Sequence, residues 1–213
     1  MSELVTWHYD TIGEKVVNAL RSNNFTATYV STRQEATQML LELIPADATI
    51  GFGGSVTLAE LGISAKLEER GNNVLNWLKP GLSPQEIKAI RRQHLLSDVY
   101  LSGTNAVTLD GKLVNVDATG NRVGAMLFGP DKVFVVVGAN KIVKDVAEAE
   151  NRVKLWASPP NNKRLGYPNP CVKTGVCVEC QGPTRICNIT TIIHKRPRLT
   201  DFHVIVVGEQ LGL

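Results

Sequence analysis

The chain contains no cysteine before Cys171, and all four of its cysteines fall between Cys171 and Cys187. Such segregation, in a sequence without a secretory leader, argues against a disulfide framework and favours a metal or redox site. The sequence also lacks a basic start followed by an apolar run, and it lacks an apolar segment long enough to span a bilayer. We therefore expect a cytoplasmic protein.

Neither sign of charge is in large excess, because the 213 residues carry a formal net charge of only +3. The basic run at residues 194–198 is short and typical of a solvated surface. We expect neither nucleic acid nor a membrane as a partner. The length suffices for one large domain with a proper core, or for one domain with a small appendage.

Residues 51–57, the glycine turn, read Gly-Phe-Gly-Gly-Ser-Val-Thr between a short apolar run and an amphipathic one. This pattern predicts a strand, a turn and a helix, with Thr57 and Glu60 as a capping box. Backbone N–H groups and the hydroxyls of such a turn suit a phosphate or carboxylate. We therefore predict anion contacts at Gly53, Gly54, Ser55 and Thr57. The turn lacks the dinucleotide-binding spacing and the P-loop lysine, and a tight turn that binds nothing remains the alternative.

Helical and strand-like patterns alternate along the chain, which predicts an α/β fold with a mainly parallel sheet and helices on both faces. A second strand ends at Gly103, Thr104 and Asn105, and ligands of open α/β sheets lie at such strand ends. Asp110-Gly111 predicts a hairpin, which would make the sheet mixed. The returning strand leads to three further candidate ligand contacts, Asp117, Asn121 and Arg122. An ordinary polar turn is the alternative for this last group.

The composition changes at residues 157–162, where two prolines and two asparagines predict a loop. We place a main α/β domain at residues 1–157 and a Cys-rich segment at residues 158–198. Residues 199–213 contain a final buried-strand pattern that we expect to return to the main sheet. The Cys-rich segment is then an insertion and not an independent domain.

The four cysteines, Cys171, Cys177, Cys180 and Cys187, have the spacing C-x5-C-x2-C-x6-C. Four thiolates can close around a tetrahedral zinc ion or an iron–sulfur cluster. One CxxC flanked by wider-spaced cysteines favours the cluster, while zinc and a metal-free redox or structural set stay open. Lys173 and Arg185 either offset thiolate charge or are solvated.

Several segments together resemble the LUD-domain family, the lactate-utilisation proteins. They are residues 53–58, 103–106, 121–123, 138–141, 177–188 and 207–212. The resemblance implies the fold shared by ribose-5-phosphate isomerase, glucosamine-6-phosphate deaminase and coenzyme A transferases, in which the glycine turn is similar to a phosphate-cradling loop. It also implies a role in oxidising L-lactate to pyruvate beside iron–sulfur partner proteins.

The leading hypothesis is thus a protein that binds a small anion, with Arg122 as a bidentate contact, and that carries an iron–sulfur centre. No base or nucleophile stands out, although Asp117, His203 and Glu209 are titratable. One alternative is a redox-free isomerase or coenzyme A transferase-like enzyme, for which Asp117 is the simplest candidate carboxylate. Another is a non-catalytic binding subunit in which zinc staples the Cys-rich segment.

Overall fold

The computed structural model describes residues 2–213, and within this span strands alternate with helices. The strands are Thr26–Val30 (β1), Thr49–Phe52 (β2), Asn73–Val74 (β3), Val99–Gly103 (β4), Ala106–Thr108 (β5), Leu113–Asp117 (β6), Lys132–Gly138 (β7), Ile142–Val143 (β8), Ile189–Ile193 (β9) and Asp201–Val207 (β10). The helices are Glu3–Ser22 (α1), Arg33–Leu43 (α2), Val56–Leu61 (α3), Ile63–Arg70 (α4), Pro84–Gln93 (α5), Asn121–Leu127 (α6), Val146–Arg152 (α7), Ser158–Arg164 (α8) and Cys171–Thr174 (α9). No helix within residues 2–213 combines the length and apolar character needed to cross a membrane.

The larger sheet has six strands in the order β1-β10-β7-β4-β2-β3, and every neighbouring pair is parallel. Successive strand residues point to opposite faces, so Val204 and Ile205 of β10 enter two different apolar clusters. Leu40 of α2 and Leu67 of α4 share the cluster of Ile205, whereas Val17 of α1 shares that of Val204. Helices therefore cover both faces of a parallel sheet, which confirms the predicted α/β class.

The predicted hairpin forms, but it lies in a second sheet and not within the larger one. The order of this four-stranded sheet is β8-β5-β6-β9. β5 pairs with β6 antiparallel and with β8 parallel, and β6 pairs with β9 antiparallel. Because β8 and β9 satisfy the outer backbone groups of the hairpin, it needs no partner in the larger sheet. β9 was not predicted, and it fastens the end of the Cys-rich segment to β6.

The predicted loop at residues 157–162 is mostly helical, because α8 covers Ser158–Arg164. Pro159 and Pro160 lie in the first turn of this helix, a position at which proline is tolerated, and the preceding residues Val153–Ala157 are themselves helical. β10 lies between β1 and β7, so the last strand is central to the larger sheet. The division of the chain at residues 157 and 198 stays a prediction.

Candidate functional site

A cavity of about 370 Å³ opens where β2, β4 and β7 end. These three strands are parallel neighbours, so the residues that follow them meet at one edge of the sheet. Most of the ligand contacts that the sequence predicts lie in the cavity wall: Gly54, Ser55, Gly103, Thr104, Asn105, Asp117, Asn121 and Arg122. Gly53 and Thr57 lie outside the wall. The structure therefore brings together residues from separate segments of the chain, while their contact with a ligand stays a prediction.

The glycine turn is capped by Ser55 and not by Thr57. The Ser55 hydroxyl accepts a hydrogen bond from Leu58 N at 3.3 Å and begins α3, whereas Thr57 is buried inside the helix. A side chain at Gly103 would bring its Cβ within 2.7 Å of Ser55 Oγ, and one at Gly54 would come within 3.1 Å of Trp77. The glycines therefore admit neighbouring side chains that shape this wall.

Arg122 is the most heavily bonded side chain in the wall. Its Nη1 donates to Asn115 Oδ1 at 2.6 Å and its Nη2 donates to Asn105 Oδ1 at 3.0 Å. Further bonds reach the backbone oxygens of Gly103 and Val116, and Nε lies 3.5 Å from Asp117 Oδ2. Burial lowers the pKa of the guanidinium, and the Asp117 charge opposes that shift. In this structure Arg122 organises the wall through protein acceptors instead of presenting a free fork.

The other predicted polar residues are also held by the protein. The Thr104 hydroxyl donates to Ala106 O at 3.0 Å, and Asp117 Oδ1 accepts from Thr119 N and Gly120 N, both at 3.0 Å. Asn121 Oδ1 accepts from the Thr119 hydroxyl. These bonds fix the shape of the wall before a ligand arrives, which lowers the ordering cost of binding.

Arg91 supplies a cation that the protein leaves unpaired. No hydrogen bond or ion pair within residues 2–213 engages its guanidinium, and its buried Nε atom has no acceptor. The guanidinium instead stacks on Trp77, with Cζ 4.1 Å from the ring centroid, and Trp77 is fixed by donating to Phe52 O at 3.2 Å. Stacking leaves the N–H edge of an arginine open, so Arg91 can receive a carboxylate or phosphate.

Lys141 is a second cation in the wall, and its side chain is buried. The residue is 4% exposed, and Nζ donates to the Thr57 hydroxyl at 2.8 Å. Burial lowers the pKa of this amine to about 7, and the charges of Arg152 and Arg122 act in the same direction against Glu60. An amine in such a place is part neutral at neutral pH, when an exposed lysine is fully charged.

The electrostatic balance of the wall favours an anion. Arg91, Arg122, Lys141 and Arg164 line it, against the single side-chain carboxylate of Asp117, whose charge is already paired with Arg122. Two titratable residues named from the sequence lie elsewhere: Glu209 pairs with Arg33 at 2.6 Å, and His203 contacts Thr28 at 2.9 Å. Neither borders the cavity.

Sequence reasoning missed Arg91, Lys141 and Arg164 as wall residues. Lys141 carried a usable signal, because it follows the buried run of β7 as Asn105 follows β4. Arg91 and Arg164 lie in helices whose exposed charges give no such signal, and only the packing of α5 and α8 turns them toward the cavity.

The Cys-rich segment reaches the same cavity through Cys187, whose Sγ lies 3.1 Å from Ser158 Oγ. Burial raises the pKa of Cys171, and the charges of Cys180, Cys187 and Cys177 add to that shift, so the four thiols influence one another. Four thiol ligands are typical of zinc and iron sites, and a bound cation would reduce the repulsion between the negative charges of the thiolates. Within residues 2–213, however, no group of three or more His, Cys, Asp or Glu side chains is arranged to hold a metal ion.

Arg185 holds the backbone around these cysteines. It donates to Cys180 O at 2.7 Å and to Cys187 O at 3.0 Å. Cys177 N donates to Lys154 O at 3.0 Å, which ties the middle of the segment to the turn before α8. The loop is therefore fixed to the main body close to the cavity.

Comparisons with known proteins agree with this architecture. The sequence matches the LUD domain over residues 13–207. The structure is similar to that of a DUF162 family protein from Deinococcus radiodurans, with a TM-score of 0.53, 17% identity, and coverage of 93% of this chain and 98% of that one. A ribose 5-phosphate isomerase from Plasmodium falciparum aligns with a TM-score of 0.34 and 17% identity over 53% of this chain and 52% of its own. Comparison with curated proteins gave no match. Because the match spans nearly the whole chain, this protein belongs to the LUD domain family.

Proposed function

We propose that this LUD-domain protein binds a small organic acid in the cavity and takes part in the oxidation of lactate or a related hydroxy acid to the corresponding oxo acid. The observation that carries the proposal is that four basic side chains and Cys187 line the same cavity. The resemblance to lactate-utilisation proteins points to the same class of substrate. Iron–sulfur partner proteins would be the neighbouring electron carriers.

The size and charge of the cavity support a small, anionic ligand. A volume of about 370 Å³ is at the lower end of the range for small-molecule sites. Arg91 offers an unpaired guanidinium edge, and a planar carboxylate can take two parallel hydrogen bonds from such an edge. Arg164 gives one Nη2 bond to Gly54 O at 3.3 Å, which holds its charge beside the glycine turn.

The four cysteines form the second half of the proposal. We propose that they hold an iron–sulfur cluster, with zinc as the alternative metal. A cluster would supply single-electron transfer, which a hydroxy-acid oxidation requires when electrons leave for partner proteins. The roles derived for this chain do not depend on that cluster: Arg91 binds the carboxylate, Arg122 and Asp117 fix the wall, and Cys187 places the Cys-rich segment beside the ligand.

Isothermal titration calorimetry on protein purified without oxygen tests the ligand class, with L-lactate, pyruvate and inorganic phosphate as probes. We expect L-lactate or pyruvate to bind one to one. Arg91→Gln should weaken that binding by about ten-fold or more, the worth of one charge-assisted hydrogen bond. Arg92→Gln, on the exposed side of the same helix, is the matched control and should leave the affinity unchanged.

Two outcomes would overturn the proposal. Binding of phosphate alone would remove the organic-acid assignment and favour the redox-free, isomerase-like alternative. Equal binding by wild type and Arg91→Gln would remove the cavity as the site. Metal analysis of the same sample decides between iron with sulfide, zinc and no metal.

A further inference from the structure

Lys141 is a buried nucleophile that the proposed function does not use. We propose that its amine forms an imine with the keto carbon of a small 2-oxo acid held in the cavity, which makes it a catalytic residue of the site. This inference rests on the proposed function, because it requires a carboxylate ligand in the cavity. It adds a covalent step that only an acid with a keto group, such as the oxo-acid product, can undergo.

The position of Lys141 is fixed by the fold on both sides. It follows β7 directly in the turn Ala139–Lys141, where Ala139 N donates to Glu209 O at 3.0 Å. The neighbouring Asn140 accepts from Leu211 N at 3.0 Å through its side chain and from Arg152 Nε at 3.2 Å through its carbonyl. The backbone is thus held at the strand end while the side chain forms part of the cavity wall.

The hydrogen bonds around Nζ leave its lone pair open. Nζ donates to Thr57 Oγ1 at 2.8 Å, and the Thr57 hydroxyl gives its own proton to Leu211 O at 3.4 Å. Thr57 therefore accepts from the amine and has no proton left to donate to it. Within residues 2–213 no carboxylate forms an ion pair with Nζ, and Glu60, the one carboxylate that favours its charged form, acts without such a pair.

The charged groups near Nζ also favour the neutral form of the amine. Arg152 donates to Asn105 O at 2.7 Å, and Arg122 is fixed in the wall, so two permanent cations stand near Nζ. The burial of Lys141, and after it the charges of these two arginines, favour loss of its proton and lower its pKa to about 7. Glu60 acts against this effect, but its side chain accepts from Gly212 N at 3.0 Å.

The step balances without a further reactant. The nitrogen lone pair attacks the keto carbon, and the carbonyl pair moves to oxygen. One proton then passes from the nitrogen to that oxygen, which gives a carbinolamine. The hydroxyl leaves as water with one proton taken from solvent, and the nitrogen keeps its second hydrogen in the positively charged C=N bond. A protonated imine withdraws electrons from the adjacent carbons, which is the chemical use of lysine with carbonyl substrates.

Trapping with sodium cyanoborohydride tests the proposal. The oxygen-free protein is incubated with pyruvate and the reductant, or with acetate, which lacks the keto group. Intact mass and peptide mapping then locate any adduct. We expect one reduced pyruvate adduct on the peptide that contains Lys141, and none with acetate.

Lys141→Arg keeps a cation but removes the nucleophile, and Lys144→Arg is the matched control because Lys144 is exposed three residues away. The adduct should be lost in the first variant and retained in the second. Mapping of the wild-type adduct decides the question even if Lys141→Arg does not fold.

Calorimetry with pyruvate separates this inference from the proposed function. Pyruvate that binds to the wild type without a trapped adduct overturns the imine and leaves the anion site standing. An adduct spread over exposed lysines, or retained in Lys141→Arg, also overturns it. Absence of an adduct, together with no binding of either pyruvate or L-lactate, overturns the two proposals together.

Discussion

At the scale of single residues, Arg122 is both the predicted anion contact and a side chain that holds the cavity wall together. Its guanidinium is surrounded by fixed protein oxygens from the strand ends and the hairpin, and its charge is paired with Asp117. The sequence marks it as an anion contact because arginine suits carboxylates. The structure gives it a second task, that of holding the wall together.

We expect Arg122→Lys to lower the free energy of unfolding by about 3 kcal/mol, because a lysine ammonium cannot reproduce the planar fork and leaves buried acceptors unpaired. Urea denaturation monitored by circular dichroism measures the change. Arg92→Lys, at an exposed position, is the control. An unchanged urea midpoint with lost ligand binding would instead make Arg122 a pure ligand contact.

The predicted residues cluster because the sequence marks where strands end. Ser55 and Asn105 each follow an apolar run, and parallel neighbours bring such positions to one edge. Arg91 could not be predicted, since its role depends on stacking against Trp77 from a different element. Lys141 could have been found by the rule that located Asn105. Its lowered pKa depends first on burial and then on the charges of Arg152 and Arg122, none of which can be read from the local sequence.

At the scale of elements, local signals predicted the helix after the glycine turn but missed α8, and they could not predict how the strands pair. The start of α5 has such a local signal, a capping box in which Ser83 and Glu86 are bonded to each other's backbone. β9 escaped prediction although its five residues are all isoleucine or threonine, a β-branched composition that favours a strand. The existence of β9 depends on the free edge of β6, which is a property of the tertiary fold.

β10 is a central strand that carries an ionisable side chain, and this has a measurable pH effect. Burial, followed by the charge of Lys132, lowers the pKa of His203 to about 4 from its ordinary value of 6.5, with Asp201 opposing and Arg21 adding to the shift. The unfolded chain therefore takes up a proton near pH 6.5, whereas the folded chain takes it up only near pH 4. Falling pH favours the unfolded chain across that interval.

We expect wild-type stability to decline between about pH 6.5 and about pH 4 more steeply than that of His203→Gln, which keeps a polar partner for Thr28 without the titrating ring. Urea midpoints measured across this range give the comparison. Parallel pH dependence in the two proteins would show that His203 is not buried in its neutral form.

At the scale of the whole molecule, the second sheet joins the Cys-rich segment to the cavity. β9 follows Cys187 almost directly and pairs along β6, which itself ends at Asp117 in the cavity wall. Pairing of β6 with β9 therefore places a cysteine beside the strand ends of the larger sheet. The sequence predicted both the anion site and the Cys-rich segment. That the two lie side by side follows from strand pairing and could not be predicted from the sequence.

We propose that a small organic acid binds next to a cysteine-held redox centre. The most direct test is the visible absorption spectrum of protein purified without oxygen, recorded during titration with L-lactate and pyruvate, with iron and sulfide assayed on the same sample. We expect a coloured protein that contains both elements and whose spectrum changes saturably with one of the two acids, with a weaker response in Arg91→Gln. A colourless protein that contains zinc or no metal, or a spectrum that neither acid alters, would rule out a redox centre beside the acid.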